Sequence, residues 1–454
     1  MKRPFFSLAT ALFAVGGLAG CGGSANTFTS SGGLPELGSI ERRAQSQQKI
    51  QHVIIIVQEN RSVDNLFQGY PKADVRDYGF NSAGKKVKLV PVGLEANWDI
   101  DHSLASFLAA CNGKGSLPGT DCQMNGFDRE TDSCLHNPTC PPTPQYAYVP
   151  QSETKPYFAM AHQYVLADHM FTSMIDASSF TSHQYIIAGE SQSSYDFPST
   201  PQWGCDGGKD ATVPTLTQQR TTGPSIRPCF PSATLGDELD AAGLSWGYYT
   251  ASINGDGDNW NAYQAIKHIR YGPDWHKNVH WPATRFYNAV KSDELPAVTW
   301  ITPTCRNSDH ASCGSNHGPH WVASLVNTIG ESKYWKSSAI FVFWDEYGGW
   351  YDHVAPKMVD YDGLGLRVPL LVISPYAKKG YVSHVDYEHG SLLKFVEDQF
   401  GLPRLAESDT RATSPADDCF DFTQKPRAFT PIPDTLNRAY FENEPNDGRV
   451  PDNE

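Results

Sequence analysis

The chain has 454 residues, of which 39% are hydrophobic and 19% are charged, and this balance excludes a disordered chain or a coiled coil. It carries 36 basic and 50 acidic residues, a net charge of −14, which argues against nucleic acid as a partner. The length is enough for one large α/β domain or for two ordinary domains.

The N-terminus is typical of an exported protein. Lys2 and Arg3 precede an apolar run, 4–20, that is too short and too glycine-rich for a good membrane span. Leu18-Ala19-Gly20-Cys21 resembles a bacterial lipoprotein signal, in which the cysteine is lipidated; the alternative is an ordinary signal peptide with a chance cysteine. We therefore expect a lipoprotein signal peptide over 1–20 and lipid anchoring to the bacterial cell envelope, at the outer membrane or the periplasmic face.

Order is expected to begin after a Gly-, Ser- and Thr-rich tether, 21–44. Continuous β-branched and apolar runs then predict strands buried on both faces, and these runs lie at 52–57, 297–301, 339–343 and 368–373. Helical patterns occur at 184–189, 321–329 and 390–400. Buried strands that alternate with helices predict an α/β fold with a mostly parallel central sheet flanked by helices.

The remaining segments complete the predicted organisation. The stretch from about 70 to 270 is rich in Pro, Ser and Cys, and we interpret it as long loop insertions around a site. The catalytic domain is expected over 45–405. Residues 406–454 form a C-terminal tail that either packs on this domain or trails from it.

The cysteines fit an oxidising compartment. Besides Cys21 there are nine, and in an exported protein they predict disulfides. Pairing over the shortest loops joins residues 111–122, 134–140, 205–229 and 305–313 and leaves Cys419 over, although sequence alone does not fix the connectivity. A zinc site is the weaker interpretation because no Cys-x-x-Cys pair occurs.

Polar side chains follow two of the predicted strands. Glu59 and Asn60 follow the first, and Asp345 and Glu346 follow the strand at 339–343. Because ligands bind beyond the carboxyl ends of strands in open α/β sheets, we expect these groups at one edge. Three carboxylates in one place repel each other unless a cation lies between them, and oxygen ligands favour a divalent ion.

Two further carboxylates near these strand ends have ordinary structural interpretations. Asp64 is expected to cap a helix N-terminus. Asp352 is expected to accept hydrogen bonds within a loop.

A hydroxyl-rich segment, 171–185, precedes a helical pattern. Within it, the hydroxyls of Ser178 and Ser179 can act as helix caps or as a nucleophile, because the same backbone N–H groups can hold an anion. Coordination by a metal would activate such a hydroxyl. The residues alone leave both interpretations open.

Histidines are the candidates for proton transfer. His102, His310 and His353 each lie in a polar segment, and any one alone is more often structural than catalytic. His317 and His320 enclose Gly318-Pro319, and we interpret them as loop residues because Gly-Pro argues against a helix there.

Five motifs in chain order together resemble the bacterial phosphoesterase family, which contains phospholipase C enzymes and a respiratory-burst-inhibiting type of acid phosphatase. The resemblance covers about residues 50 to 400. The motifs are Glu59-Asn60-Arg61-Ser62-Val63-Asp64, Ser179-Phe180-x-x-His183, Ser308-Asp309-His310 with Trp321-Val322-Ala323, the segment 344–354, and Tyr387-Glu388-His389-Gly390-Ser391.

The resemblance implies an alkaline-phosphatase-like fold with one divalent metal ion of unspecified identity. The implied metal ligands are Glu59, Asn60, Ser179, Asp345 and Glu346. It implies Ser179 as the nucleophile, with His102 and His310 contacting the phosphoryl group or protonating the leaving oxygen and His353 close by. Thr181-Ser182 stand where the family usually has Pro-Asn, so Ser178 stays a second candidate for the nucleophile.

The resulting functional prediction is a metal-dependent phosphoesterase of the acid phosphatase type, acting on a small phosphate ester. The alternatives are a phospholipase C that cleaves phospholipid headgroups and a noncatalytic surface-binding lipoprotein. Chain length favours the phosphatase, because the family's phospholipases often carry further C-terminal modules. The expected partners are a phosphate-ester substrate and, through the lipid anchor, the membrane.

Overall fold

The computed structural model describes residues 46–47, 49–134, 137–253 and 257–445. The predicted signal peptide and tether, including Cys21, lie outside these residues, as does the end of the predicted tail. Within the described ranges, no helix combines the length and the apolar content needed to cross a bilayer.

The strands are numbered in chain order. They are β1 His52–Gln58, β2 Tyr78–Phe80, β3 Lys86–Lys88, β4 Val90–Pro91, β5 Ala147–Tyr148, β6 Val165–Phe171, β7 Trp246–Tyr249, β8 Val279–His280, β9 Val298–Ile301, β10 Ser338–Trp344, β11 Arg367–Ile373, β12 Tyr381–Ser383 and β13 Tyr387–Glu388.

The α-helices surround the sheet built from most of these strands. They are α1 Val63–Leu66, α2 Leu104–Cys111, α3 Lys155–Gln163, α4 Ser179–Ala188, α5 Leu235–Ala241, α6 Lys267–Arg270, α7 Asp274–Asn278, α8 Arg285–Lys291, α9 Gly318–Gly330, α10 His389–Phe400, α11 Glu407–Arg411 and α12 Arg438–Glu442. Short 3₁₀ helices lie at Phe127–Arg129, Gly204–Gly207, Asp258–Trp260, Ala262–Ala265, Cys305–Asn307, Ala311–Cys313, Lys333–Ser337 and Pro415–Asp417.

Within the described part of the chain, nine strands form the central sheet, in the order β12-β6-β11-β10-β1-β9-β7-β8, with β13 also paired to β6. β1 is parallel to both of its neighbours, β9 and β10. β11 is antiparallel to β10 and to β6, so the sheet is mixed but mostly parallel. The predicted α/β fold class is therefore confirmed.

The four strands predicted from apolar runs are all present, with bounds that differ by at most one residue. In β1 and β10 nearly every side chain is buried, as expected for strands covered on both faces. The sequence analysis missed β6, because Asp168 and His169 interrupt its apolar run, and it missed the short aromatic strand β7.

The interpretation of His317 and His320 as loop residues was wrong. His317 is the N-cap of α9 and His320 lies inside its first turn, not in a loop. Gly318 and Pro319 occupy the first two helical positions, where the N–H that proline lacks would have no partner within the helix. A Gly-Pro pair therefore begins this helix instead of excluding it.

The disulfide prediction is confirmed: Cys111–Cys122, Cys134–Cys140, Cys205–Cys229 and Cys305–Cys313 are bonded. Cys419 is free and buried. In the described part of the tail, Phe420, Phe422 and Phe441 are buried in the main hydrophobic core. This part of the tail therefore packs on the domain.

Candidate active site

The register of the central strands brings two carboxylates together. β1 and β10 are parallel and pair Gln58 with Trp344, so Glu59 and Asp345 leave the sheet side by side. Both side chains are fully buried. The backbone N–H of Asn60 donates to Asp345 Oδ1 at 3.0 Å, which fixes the orientation of this carboxylate.

A histidine from α4 completes this group. His183 Nε2 lies 3.0 Å from Glu59 Oε1 and 3.8 Å from Asp345 Oδ2. The three residues offer ligand atoms within 4.8 Å of one another. Burial lowers the pKa of His183 to about 4, so the imidazole is neutral at pH 7 and has a lone pair to offer. We call Glu59, His183 and Asp345 the central cluster.

The charge of the central cluster calls for a cation. Two buried carboxylates face a neutral imidazole, and a buried anionic pair without compensation is costly. Two buried side-chain oxygens, Oδ1 of Asn60 and Oγ of Ser179, have no hydrogen-bond partner among the described residues. Asn60 directly follows Glu59, and Ser179 begins the helix that carries His183. These donors fit a divalent ion, for which carboxylate, amide, hydroxyl and imidazole groups are suitable ligands.

The two candidate serines differ clearly in their surroundings. Ser178 is the N-cap of α4: its hydroxyl accepts from the N–H of Thr181 and lies 2.6 Å from Asp176 Oδ2. Ser179 is the first residue of the helix, is fully buried, and its hydroxyl has no partner in the described structure. Ser178 is therefore occupied as a cap, whereas the Ser179 hydroxyl is available for chemistry.

Besides His183, two residues near Asp345 were not predicted as site residues, namely Ser182 and His389. Ser182 Oγ donates to Asp345 Oδ2 at 3.0 Å. His389 begins α10, is buried, and has no regular hydrogen bond to either ring nitrogen within the described ranges. Burial lowers the pKa of His389 to about 4, and the charge of Asp345 opposes this effect.

Asn60, His102 and Glu346 form a neighbouring polar group. Asn60 Nδ2 lies 3.0 Å from His102 Nε2, and His102 Nδ1 lies 2.7 Å from the carbonyl of Ile100. Glu346 Oε1 is 3.8 Å from His102 Nε2, and its other oxygen accepts from the N–H of Gly348 at 2.6 Å. The structure thus places Glu346 against His102 and outside the central cluster.

This polar group depends on a close approach of two loops. Asn60 has a φ of 57° and Gly348 a φ of 65°, both in the left-handed region. A Cβ on Gly348 would lie 2.5 Å from the carbonyl oxygen of Asn60. Glycine is therefore required at 348 for Asn60 to reach both Asp345 and His102.

His310 lies beside His102, with 5.9 Å between the ring centroids. Its Nδ1 is 3.2 Å from Ser312 Oγ and 3.6 Å from Asp99 Oδ2. Its Nε2 has no partner among the described residues, although the ring is fully buried. His310 therefore has one ring nitrogen held and one available.

The loop that carries His310 is attached to the end of β1. The side-chain oxygen of Gln58 accepts from the N–H of Asp309, and its amide donates to the carbonyl of Asn307, both at 3.0 Å. Asp309 also accepts from the hydroxyl of Tyr157 at 2.8 Å and from Trp344 Nε1 at 3.0 Å. Burial raises the pKa of Asp309 to about 6.

The structure does not bring His353 to this site. Its Nδ1 lies 2.7 Å from Asp64 Oδ2 and its Nε2 lies 3.0 Å from Asp74 Oδ1. Asp352, which was expected to accept hydrogen bonds in a loop, receives two from Arg367. The cap of α1 is Ser62, so the expectation that Asp64 caps a helix was wrong.

An open cavity of about 790 Å³ adjoins the two histidines. Four aspartates and two aromatic rings are among its lining side chains: Asp99, Asp101, Asp132, Asp196, Phe197 and Trp203. The ring of Phe197 stands perpendicular to that of His102, with 6.2 Å between centroids. Neither histidine lines the cavity, but Asp99 of its lining contacts His310 and Phe197 packs on His102. The cavity is therefore anionic and partly aromatic, and it is bordered by residues that contact the two histidines.

The two missed histidines, His183 and His389, could have been found from the sequence. His183 stands four residues after Ser179, a spacing that places both on one face of a helix. His389 follows β13 directly, in one of the motifs that carried the resemblance. A search for histidines at helix starts as well as at strand ends would have included both.

Comparison with known protein families gives a match over most of the chain. Residues 50–403 match the model of the Phosphoesterase family. Similar proteins include a "Non-hemolytic phospholipase C" of Pseudomonas aeruginosa, 24% identical over 87% of this chain and 60% of that protein. A "Non-specific phospholipase C1" of Arabidopsis thaliana is 24% identical over 78% of this chain and 68% of that protein. The chain thus spans about three fifths of the length of the first of these relatives.

Among solved structures, one similar chain is a protein "in the Alkaline Phosphatase Superfamily" from Vibrio parahaemolyticus. It is 10% identical, with a TM-score of 0.37, and the match covers 82% of this chain and 72% of that one.

Proposed function

The chain belongs to the Phosphoesterase family, and on this premise we propose that it hydrolyses phosphoric esters with a divalent metal ion and a serine nucleophile. The observation that carries the proposal is the hydroxyl of Ser179. It is fully buried at the start of α4, one turn before His183 on the same helix, and lacks any partner within the described residues. A buried hydroxyl without a hydrogen bond costs stability, and a role in the reaction would account for that cost.

Glu59, His183 and Asp345 would hold the metal ion, together with the oxygens of Asn60 and Ser179. Glu346, an implied ligand, is instead assigned to holding His102. When bound, the ion would lower the pKa of the Ser179 hydroxyl and offset charge on the phosphoryl oxygens.

The remaining proton chemistry falls to His310. With Nδ1 next to Ser312 and Asp99, its Nε2 is available to protonate the leaving alcohol. His102 is held at both ring nitrogens, by Ile100 and Asn60, and therefore positions Asn60. The N-terminus of α4 supplies backbone N–H groups where the phosphoryl oxygens would lie.

Two substrate classes remain, and the cavity favours one of them. Its four aspartates repel the dianion of a phosphomonoester but attract a substrate that carries a cation beyond the phosphate. Phe197 and Trp203 offer ring faces of the kind that bind quaternary ammonium groups. We therefore place a phosphodiester with a cationic headgroup, as in phospholipase C activity, ahead of the phosphomonoester that was expected from the sequence.

The test compares p-nitrophenylphosphorylcholine with p-nitrophenyl phosphate, with and without a chelator. We expect the choline diester to be preferred and both activities to be lost on chelation. Preference for the monoester would return the assignment to an acid phosphatase. Absence of turnover with any divalent metal would refute the enzymatic proposal and favour the binding-protein alternative.

Charge-removing variants separate the cavity from the catalytic groups. Asp101→Asn with Asp132→Asn removes two cavity charges, each worth about 2 kcal/mol at about 8 Å and an effective dielectric constant of about 20. We expect the preference for the choline diester to fall at least about tenfold. The matched control is Asp210→Asn, an 85% exposed carboxylate outside the cavity, which should leave the preference unchanged.

A further inference from the structure

A second group of histidines and aspartates lies at the edge of the central sheet, where β12 and β13 both pair with β6. Ser383 pairs with Ala167 and Tyr387 with Met170, so four steps along the edge strand oppose three along β6. The extra residue makes a bulge at His384–Asp386, opposite Asp168 and His169. Such bulges redirect side chains, and here they bring polar groups of both strands together.

The contacts within this group are close. His384 Nδ1 lies 2.8 Å from Asp168 Oδ1, and His169 lies 3.2 Å from an oxygen of Asp386 and 3.3 Å from one of Asp74. We call these five residues the edge cluster. Asp168 is fully buried, whereas 54% of the His384 side chain is exposed, so the cluster is open to solvent on one side.

The carboxylates of this region outnumber its permanent cations. Within the described residues, Asp74 also contacts His353 and Arg367, and Asp386 contacts Lys357. The connected carboxylates are five, namely Asp64, Asp74, Asp168, Asp352 and Asp386, whereas Arg367 and Lys357 are the permanent cations that contact them. With neutral histidines the network is anionic, which favours binding of a divalent cation.

The ligand geometry is already in place. Asp168, His169 and His384 offer atoms within 4.8 Å of one another. His384 Nδ1 is the ring nitrogen that contacts Asp168, and its other ring nitrogen makes no hydrogen bond within the described ranges. Two imidazoles with carboxylates on each side form a ligand set suited to zinc, whereas Mg²⁺ and Ca²⁺ prefer oxygen alone.

We propose that Asp168, His169 and His384 bind a Zn²⁺ ion, with Asp386 or Asp74 as a further ligand. None of these residues belongs to the central cluster, so this site is separate from the proposed catalytic metal. Its role is to hold the bulge of the edge strand on β6, five residues before His389 enters the candidate active site. An ion that binds the folded state but not the unfolded state raises the free energy of unfolding, and this gain grows with the logarithm of the metal concentration.

The experiment counts zinc ions after equilibrium dialysis of the full, oxidised protein, using elemental analysis. We expect two ions per wild-type chain and one per chain in His384→Ala. The matched control is His268→Ala, because His268 is 45% exposed and contacts Asp237 at 2.8 Å but belongs to none of the groups of potential metal ligands among the described residues. This control should retain two ions.

A variant of the central cluster distinguishes a failure of this proposal from a failure of the proposed function. Asp345→Asn should also bind one ion but lose hydrolysis, whereas His384→Ala should hydrolyse substrate within about twofold of the wild-type rate. If Asp345→Asn keeps two ions while His384→Ala keeps one, the proposed catalytic metal fails and the edge site stands. If His384→Ala binds as many ions as the wild type, the edge site is refuted.

A second measurement uses the wild-type protein, so its result does not depend on whether the variants fold. Diethylpyrocarbonate modifies accessible histidines, and mass spectrometry locates the modified residues. Zn²⁺ should protect His384 and His169 but leave His268 reactive. Equal reactivity of His384 with and without Zn²⁺ would overturn the proposal.

Discussion

Replacing the two adjacent serines at the start of α4 should have opposite effects on stability and activity. The Ser178 hydroxyl caps the helix and bonds the buried carboxyl of Asp176, whereas the Ser179 hydroxyl makes no hydrogen bond within the described residues. Removing the Ser178 hydroxyl should lower stability, and removing the Ser179 hydroxyl should lower activity. The pair therefore separates the two interpretations of a serine at a helix N-terminus.

The magnitudes follow from the contacts. Loss of a serine cap costs about 1 kcal/mol, and loss of a hydrogen bond to an ionisable carboxyl costs about 1.5–3 kcal/mol. We therefore expect Ser178→Ala to lower the free energy of unfolding by roughly 3 kcal/mol with these two effects combined. Ser179→Ala removes an unsatisfied group, so stability should be unchanged or raised by up to about 1 kcal/mol. Its turnover should fall on the order of 10⁶-fold, as for other nucleophilic serines.

The assay combines urea unfolding, followed by tryptophan fluorescence with disulfides intact, and initial rates with p-nitrophenylphosphorylcholine. Ser178→Asn is the control, because asparagine also caps helices but cannot act as the nucleophile. It should keep most of both stability and activity. A Ser179→Ala enzyme with a near-normal rate, together with an inactive but stable Ser178→Asn, would assign the nucleophile to Ser178 and refute the reasoning.

Three further outcomes are expected. Asp345→Asn should lose bound metal and activity together, and normal metal content by elemental analysis would contradict a ligand role. His353→Ala should keep kcat/KM within about tenfold, because its ring lies in the network of Asp64 and Asp74; a loss beyond about 10³-fold would return it to the active site. Burial raises the pKa of Asp362 from 3.8 to about 7, so the folded state favours the protonated carboxyl. The protein therefore loses stability as the pH rises from 3.8 to about 7, because this buried group must then ionise. Asp362→Asn should therefore gain stability relative to wild type between pH 4 and pH 8 in urea titrations, and a constant difference across that range would contradict this assignment.

Sequence analysis identified the candidate site residues that directly follow a strand. Glu59 and Asp345 follow long apolar runs, and in a parallel pair the carboxyl ends of both strands lie at one edge. His183 and His389 come from helix starts, and only tertiary packing brings them beside those carboxylates. Their positions relative to β1 and β10 depend on how α4 and α10 dock, which no local pattern encodes.

Adjacency in sequence also misled the analysis of the acidic residues. Glu346 directly follows Asp345, yet it contacts His102 and Gly348, because the chain bends at these two residues once the strand has ended at Trp344. His353 follows the same strand but turns away toward Asp64. Strand β6 was missed because Asp168 and His169, which interrupt its apolar run, lie in a polar cluster that the sequence did not reveal.

The complete burial of β10 has a consequence for mutational libraries. A strand that alternates apolar and polar residues resists slippage, since a shift by one residue would expose its apolar face; β10 is apolar on both faces and lacks this safeguard. Bonds beyond the strand ends help to set its alignment instead, such as the one from the N–H of Asn60 to the carboxylate of Asp345 at 3.0 Å. Libraries that randomise 59–61 and 345–346 will therefore lose clones to misaligned sheets as well as to lost chemistry, and should be sorted for folding before they are sorted for activity.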